Sequence, residues 1–454
     1  MTSSAEIVSN QRKYFKSGNT RDVAARLDLL KRLETYLVDH QEDLLKALDA
    51  DLGKPRLESF LSEYYFLIQE IKMVKKSLRK WLKPRKVKSP IYFKPCKSEV
   101  LLEPFGVVLI VSPWNYPIQL ALSPMIAAIA AGNTVILKPS DVSSASECFL
   151  KNLVTECFSP EQVAVVTGDA EVAKELLGLR YDFIFYTGST EVGRIVAGCA
   201  AKHLTPSVLE LGGKCPCVVD SSANMKLAAR RILSGKFFNG GQTCFAPDFV
   251  AVHRDVKSEF IQACEEVLEE VPWEQEMAHV INEQHYDRLH DLLESSKSRE
   301  IKKGLDDTSR HFMAPRILPD AQWSEQILKD EVFGPILSVV TFEDTEGLVG
   351  KLQGYESPLA FYIFSENAQW IDQMQHAVQS GGVCINDTMK QGSNLDLPFG
   401  GVGDSGYGRY RGKEGVVAMS YQRGVVRRSM RAPKFMDLLP PYGKAYEWVK
   451  KMMG

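Results

Sequence analysis

Apolar positions along this chain change their period near residue 105. Before that point, in ARLDLLKRLETYLVDHQEDLLKALDADLG (25–53), they recur three and four apart and end at a glycine, which predicts amphipathic helices up to about Lys80. KVKSPIYFKPCKSEVLLEP (86–104) then reads as an irregular hairpin interrupted by Pro90 and Pro95. From Phe105 onward, short and continuously apolar runs alternate with helical stretches. Strands are predicted at 105–113, 133–140, 162–168, 183–189 and 207–213, and helices at 117–132, 144–158, 170–178 and 190–203. A strand that is apolar throughout must be covered on both faces, so the pattern implies an α/β fold built on a parallel sheet. A second series, PCVVD (216–220), DFVAVHR (248–254), ILSVVTF (336–342), AFYIFS (360–365) and GGVCIND (381–387), predicts a second α/β unit from about Gly212.

Composition narrows this picture. A chain of 454 residues, 44% hydrophobic and 25% charged, has room for two or three domains. A net charge of −2 gives no global attraction to nucleic acid, and no nucleic-acid partner is expected. MTSSAEIVSNQRKYF lacks the apolar run of a signal peptide, and the most apolar stretch, 118–131, is too short for a membrane span and contains Pro124. The nine cysteines are an odd, scattered set, which argues for a reducing compartment rather than a disulfide framework. Cys215 and Cys217 are the only close pair, and no cluster stands near them in sequence to complete a zinc site, so no metal is expected. A cytoplasmic location follows from these features.

Three stretches carry candidate chemistry. In FNGGQTCFAP, Cys244 stands behind two glycines, a glutamine and a threonine. Taken alone it is a buried thiol before it is a nucleophile or a ligand, because free cysteine usually behaves as a small hydrophobe. In FYTGSTEVG, Gly188 and Ser189 lie between an apolar strand and a helix. A helix N-terminus there offers backbone N–H groups to a pyrophosphate, although an ordinary β–α turn has the same composition. In LKPSD, Lys138 and Asp141 end a strand and can hydrogen-bond ribose hydroxyls.

Taken together, PWNYP (113–117), KPSD (138–141), YTGST (186–190), LELGGK (209–214), GGQTC (240–244), EVFGP (331–335) and PFGG (398–401) resemble the NAD(P)-dependent aldehyde dehydrogenases in identity and order. Glu210 also stands 34 residues before Cys244, as in that family. The resemblance runs from about residue 10 to 442, and GQTCFAPDFV, LPFGGVGDSGYGRY and LLPPYG are most similar to the class 3 branch of fatty and aromatic aldehyde dehydrogenases. Asp141, where many relatives have Glu, and the trimmed segment VPWEQEMAHVINEQ (271–284) depart from it. The resemblance implies a Rossmann-like cofactor domain (1–81 and 104–209) and an α/β catalytic domain (210–410). It also implies a small β oligomerisation element (82–103 and 411–433) followed by a tail (434–454).

Oxidising an aldehyde to an acid through such a fold needs a nucleophile, oxyanion donors, a hydride acceptor and a water-activating base. The resemblance makes Cys244 the nucleophile, with Asn115 and the Cys244 backbone N–H as oxyanion donors and Glu210 as the base. It assigns Lys138, Asp141, Gly188 and Ser189 to the adenosine and pyrophosphate of NAD or NADP, and Glu331 and Phe333 to the nicotinamide end. Two other readings use the same thiol: an esterase or hydrolase without redox chemistry, and an acylating dehydrogenase that passes the acyl group to coenzyme A. Glu210 argues against the second, since a water-activating base is wasted there. The expected substrate is a medium or long aliphatic aldehyde, or an aromatic one, and the expected assembly is a homodimer. In the tail, PPYGKAYEWVKKMMG, the apolar residues fall on one side at helical spacing. This predicts a terminal helix docked on its own subunit, with weak peripheral membrane contact as the sharper alternative. Eleven basic residues between Lys72 and Lys97, together with Arg423, Arg427, Arg428 and Arg431, favour an anionic surface.

Overall fold

The computed structural model describes residues 3–90, 95–430 and 439–453. The first predicted unit is a six-stranded sheet with the spatial order Gly406–Tyr407, Ser207–Leu211, Phe183–Gly188, Val107–Val111, Thr134–Lys138 and Val163–Val165. All its neighbours run parallel except the first pair. The second unit is a seven-stranded sheet ordered Ile301–Lys302, Arg316–Leu318, Ile336–Phe342, Phe249–His253, Pro216–Val219, Ala360–Phe364 and Gly382–Ile385. It too is parallel apart from its first pair. The fully apolar runs became these strands because helices cover both faces of each sheet. One apolar cluster takes in Val108 and Ile110 from the first sheet and Cys217, Val250 and Leu337 from the second, so the two units share a core.

Between the sheet of the first unit and its outer helices runs the helix Gln119–Ala131, every residue of which is buried. A helix apolar all round has no solvent face to offer and belongs inside. Its N-terminal N–H groups need partners there, and Glu63 supplies them: one carboxylate oxygen accepts from Ile118 N and Gln119 N, both at 3.0 Å. The other Glu63 oxygen pairs at 2.8 Å with Lys54, whose ammonium lies 3.9 Å from the centroid of the Tyr116 ring. This buried ion pair anchors the segment on which Asn115 sits.

The hairpin is present, with Arg85–Val87 antiparallel to Cys96–Pro104; its residues 91–94 lie outside the described residues. The strand Ser420–Arg428 joins Cys96–Pro104 in register from Ser420↔Pro104 to Arg428↔Cys96, forming a three-stranded sheet. The tail helix Gly443–Met453 forms, and most of its described residues are exposed. Tyr446 is 63% exposed, and of the residues 444–451 only Ala445 and Val449 are partly covered. Arg431 and Lys94, counted among the basic groups, fall outside the described residues.

Candidate active site

Cys244 follows a loop of unusual backbone shape. The helix Met225–Phe237 ends, and Asn239, Gly240 and Gly241 take φ values of 56°, 60° and 76°. Asparagine and glycine tolerate this left-handed region better than other residues. A side chain at Gly241 would collide with the Gly334 carbonyl, and one at Gly240 would come within 2.8 Å of the Ala278 carbonyl. The glycines therefore let the nucleophile loop touch the EVFGP loop. Gln242 locks the shape: its Nε2 donates to Asn239 O at 3.1 Å and to His279 O at 2.8 Å, and its Oε1 accepts from Ile281 N at 3.0 Å. The Tyr116 and Thr243 hydroxyls share a 2.6 Å bond, and the Tyr362 hydroxyl donates to Phe245 O.

The structure brings Asn115, Glu210 and Glu331 around this thiol. Asn239 Nδ2 donates to Asn115 O, and Asn115 Nδ2 donates to Gln242 O, each at 2.9 Å. An amide nitrogen carries two hydrogens, so one remains for a ligand. Glu210 is hydrogen-bonded through its backbone between Thr187 and Gly406, and its side chain is buried with both carboxylate oxygens unpartnered. Burial pushes its pKa well above the ordinary carboxylate value, opposed by the charges of Arg411 and Arg409. The first-unit strand Ser207–Leu211 carries Glu210, so a domain division at 209/210 cuts through one strand. Glu331 lies against Gly212, where a Cβ would meet its carboxylate, and it accepts a backbone hydrogen bond from Gly213. Burial and the Asp248 charge raise it to about 8. The partly exposed Cys244 thiol is pushed up to about 12, by burial first and then by the charges of Glu331 and Glu210.

The Glu331 loop is held firmly. Arg288 donates to Glu331 O at 3.3 Å and Val332 O at 2.7 Å, and Asp248, ion-paired with Lys214, accepts from Val332 N at 3.0 Å. Phe333, at φ 49°, meets Trp114 edge-on with ring centroids 5.4 Å apart. Trp114 in turn lies 4.9 Å from the ring of His285.

The remaining predicted residues lie at the carboxyl ends of the parallel strands of the first unit, where such sheets bind ligands. Lys138 ends the strand Thr134–Lys138, buried, with its ammonium donating at 2.6 Å to its neighbour Pro139 O. Burial lowers its pKa, opposed by Asp141, Glu147 and Asp169. Asp141 is exposed in the turn beyond. Ser189 caps the helix Thr190–Lys202, accepting from Val192 N at 3.4 Å. Gly188 is constrained from within, since a Cβ there would strike the Tyr186 hydroxyl. A buried cation at one strand end and a capped helix N-terminus at another strand end of the same sheet fit the ribose and pyrophosphate of a dinucleotide. Among the described residues no group of three or more His, Cys, Asp or Glu side chains is arranged to hold a metal ion.

Arg411 was not singled out from the sequence. It is buried, stacks 4.2 Å from the Phe399 ring, and acts by charge on both Glu210 and Cys244. The glycine-rich run GYGRYRG around it was the only available signal.

A partly exposed thiol on a strained loop, a buried unpartnered carboxylate and a dinucleotide-type strand edge on two parallel α/β units point to an oxidoreductase of the thiol-dependent type. The chain belongs to the aldehyde dehydrogenase family, whose model matches residues 3–425, and its reaction is the NAD(P)-dependent oxidation of an aldehyde. It is 36% identical to the 4,4'-diaponeurosporen-aldehyde dehydrogenase of Staphylococcus aureus over 97% of both chains. It is 38% identical to aldehyde dehydrogenase family 3 member B1 of Rattus norvegicus, over 97% of this chain and 95% of that one. A solved structure of Staphylococcus aureus AldH in a substrate-bound state superposes with a TM-score of 0.97 at 36% identity, covering all of both chains.

Proposed function

We propose that Cys244 is the nucleophile and Glu210 the water-activating base of an aldehyde dehydrogenase acting on medium or long aliphatic, or aromatic, aldehydes. The observation that carries this reading is the Glu210 carboxylate, buried without a partner and near enough for its charge to act on the Cys244 thiol. A buried carboxylate left unpaired costs stability, and a water molecule or substrate is what such a group is built to receive. The Cys244 thiolate adds to the carbonyl carbon, and the second Asn115 N–H and the Cys244 N–H hold the oxyanion. NAD(P) supplies the hydride acceptor when bound. The tetrahedral adduct then becomes a Cys244 thioester. Glu210 takes a proton from water, the hydroxyl attacks the acyl carbon, and the carboxylic acid leaves as the thiol re-forms.

Lys138, Asp141, Gly188 and Ser189 hold the adenosine and pyrophosphate, and Glu331 and Phe333 the nicotinamide end. Asp141 is one methylene shorter than Glu and leaves room beside the adenosine 2′ position, where Lys138 can meet a 2′-phosphate by charge. Measurable rates are expected with both NAD and NADP. A panel of aldehydes of increasing chain length, assayed with each cofactor, tests this; a preference for NAD above about a thousandfold, or roughly 4 kcal/mol, would contradict the shared site. The exposed tail helix supports weak contact with the substrate entrance or an anionic membrane surface. The same panel run on a chain ending at Tyr442 should lose more activity on long than on short aldehydes; equal loss on both would assign the tail no part in substrate choice.

A homodimer is supported by the three-stranded sheet, whose strand Ser420–Arg428 leaves Tyr421 and Val426 43% and 60% exposed. Three small strands with an open face gain by adding to a second copy. Light scattering at micromolar concentration should give twice the chain mass of 50.9 kDa, and a monomer there would rule the dimer out. Nine free cysteines, four of them buried, suit a reducing cytoplasm.

A further inference from the structure

Arg411 combines features that packing alone does not explain. It holds φ at 84°, a conformation that costs a non-glycine residue energy. Its guanidinium is buried among rings: 4.2 Å from Phe399, 4.8 Å from Phe66 and 5.4 Å from Tyr410. The next residue, Gly412, donates its N–H at 3.1 Å to Glu70, which is itself buried. Among the described residues both oxygens of Glu210 lack hydrogen-bond partners, while the Tyr410 hydroxyl interacts with Arg411 and Glu70 with the Ser123 hydroxyl. Glu210 rests against Gly400, where an added Cβ would lie 2.9 Å from its Oε1, and Gly400 follows the phenylalanine that carries the guanidinium. The charge of this cation acts on Glu210, Cys244, Glu70 and Tyr410, and Arg409 is the other cation acting on Glu210.

We propose that Arg411 is a positioning residue for acyl release: clamped on Phe399, with the following Gly412 bonded to Glu70, it is the buried cation that favours the ionised form of Glu210 as the base. The inference rests on the assignment of Glu210 made above. Two buried carboxyls, Glu210 and Glu70, share its charge, and in both cases Arg411 opposes the upward push of burial. It holds the Cys244 thiol down by the same means. The strained backbone places the charge where a relaxed residue would point elsewhere.

The test is the pH profile of steady-state turnover for wild type, Arg411→Met, Arg411→Lys and Glu210→Gln, with a thermal melt of each. Methionine keeps the flat packing on Phe399 and removes the charge. The acid limb of Arg411→Met should move up by about one pH unit or more, with turnover recovering at high pH and the pre-steady-state burst kept. Arg411→Lys should show a smaller move. A loss by the same factor at every pH, with the limb in place, would overturn the proposal. If Arg411→Met does not fold, Arg411→Lys decides by the same criterion. In Glu210→Gln the limb should vanish. If it persists there, the base assignment itself is wrong; if it vanishes there but does not move in Arg411→Met, only the role of Arg411 is lost.

Discussion

Cys244→Ser is expected to bind cofactor as wild type does and to lose dehydrogenase turnover by on the order of 10⁴-fold or more. The loop that carries Cys244 is held by Gln242, Asn115, Asn239 and Tyr362, and none of these bonds uses the Cys244 side chain. The exchange therefore removes the sulfur without disturbing its frame. Serine cannot substitute, because a hydroxyl is far less acidic than even this thiol. The free enzyme holds the thiol mostly protonated, near a pKa of about 12, under burial and the charges of Glu331 and Glu210. Alkylation by iodoacetamide without cofactor should accordingly keep rising with pH through the alkaline range. Cofactor titration by fluorescence and turnover by reduced-nicotinamide absorbance check the variant, and turnover above about a hundredth of wild type would remove Cys244 from the nucleophile's role.

Glu210→Gln is expected to separate the two halves of the reaction. Hydride transfer should proceed once per site, giving a burst of reduced cofactor, and the thioester should then persist, with steady-state turnover down about 10²–10⁴-fold. Glutamine preserves the shape at Gly400 and cannot accept a proton. The pH dependence follows from the raised pKa of Glu210, which must be ionised to act as a base. Acyl release in wild type should fall as pH drops through that raised value, above the ordinary carboxylate range, and the fall should be absent in the variant. Stopped-flow absorbance reads both phases. A variant with no burst, in an assay where wild type shows hydride transfer to be fast, would mean that Glu210 acts before acyl release.

What could be read in the sequence, and what could not, divides along physical lines. The parallel strands were legible because a strand buried on both faces is written as a nearly continuous, β-branched apolar run, as in Val107–Val111 and Ile336–Phe342. The short edge strands Ile301–Lys302 and Arg316–Leu318 bear no such run and were not anticipated. At the site, Cys244, Asn115 and Glu210 stood out through motifs, and the structure places them together. Arg411 did not, because its significance arises from tertiary neighbours. It follows the strand Gly406–Tyr407, which returns across some two hundred residues to lie beside Glu210's own strand. The ion pair of Lys54 with Glu63 was invisible for the same reason: two ordinary charges become informative only once both are fully enclosed. The tail helix shows the converse, an amphipathic pattern most of whose described residues stay exposed.

The place of Gly406–Tyr407 in the six-stranded sheet also bears on how the protein is made. Synthesis runs from the N-terminus, so the ribosome delivers Cys244 long before residues 331–335, which buttress it, and 406–411, which wall in Glu210. Until those last pieces emerge, the base is open to water and the thiol has no assembled partner. Until then the nascent polypeptide carries an ordinary cysteine, and aldehydes in the surrounding fluid meet a finished catalyst only once residues 406–411 have been made.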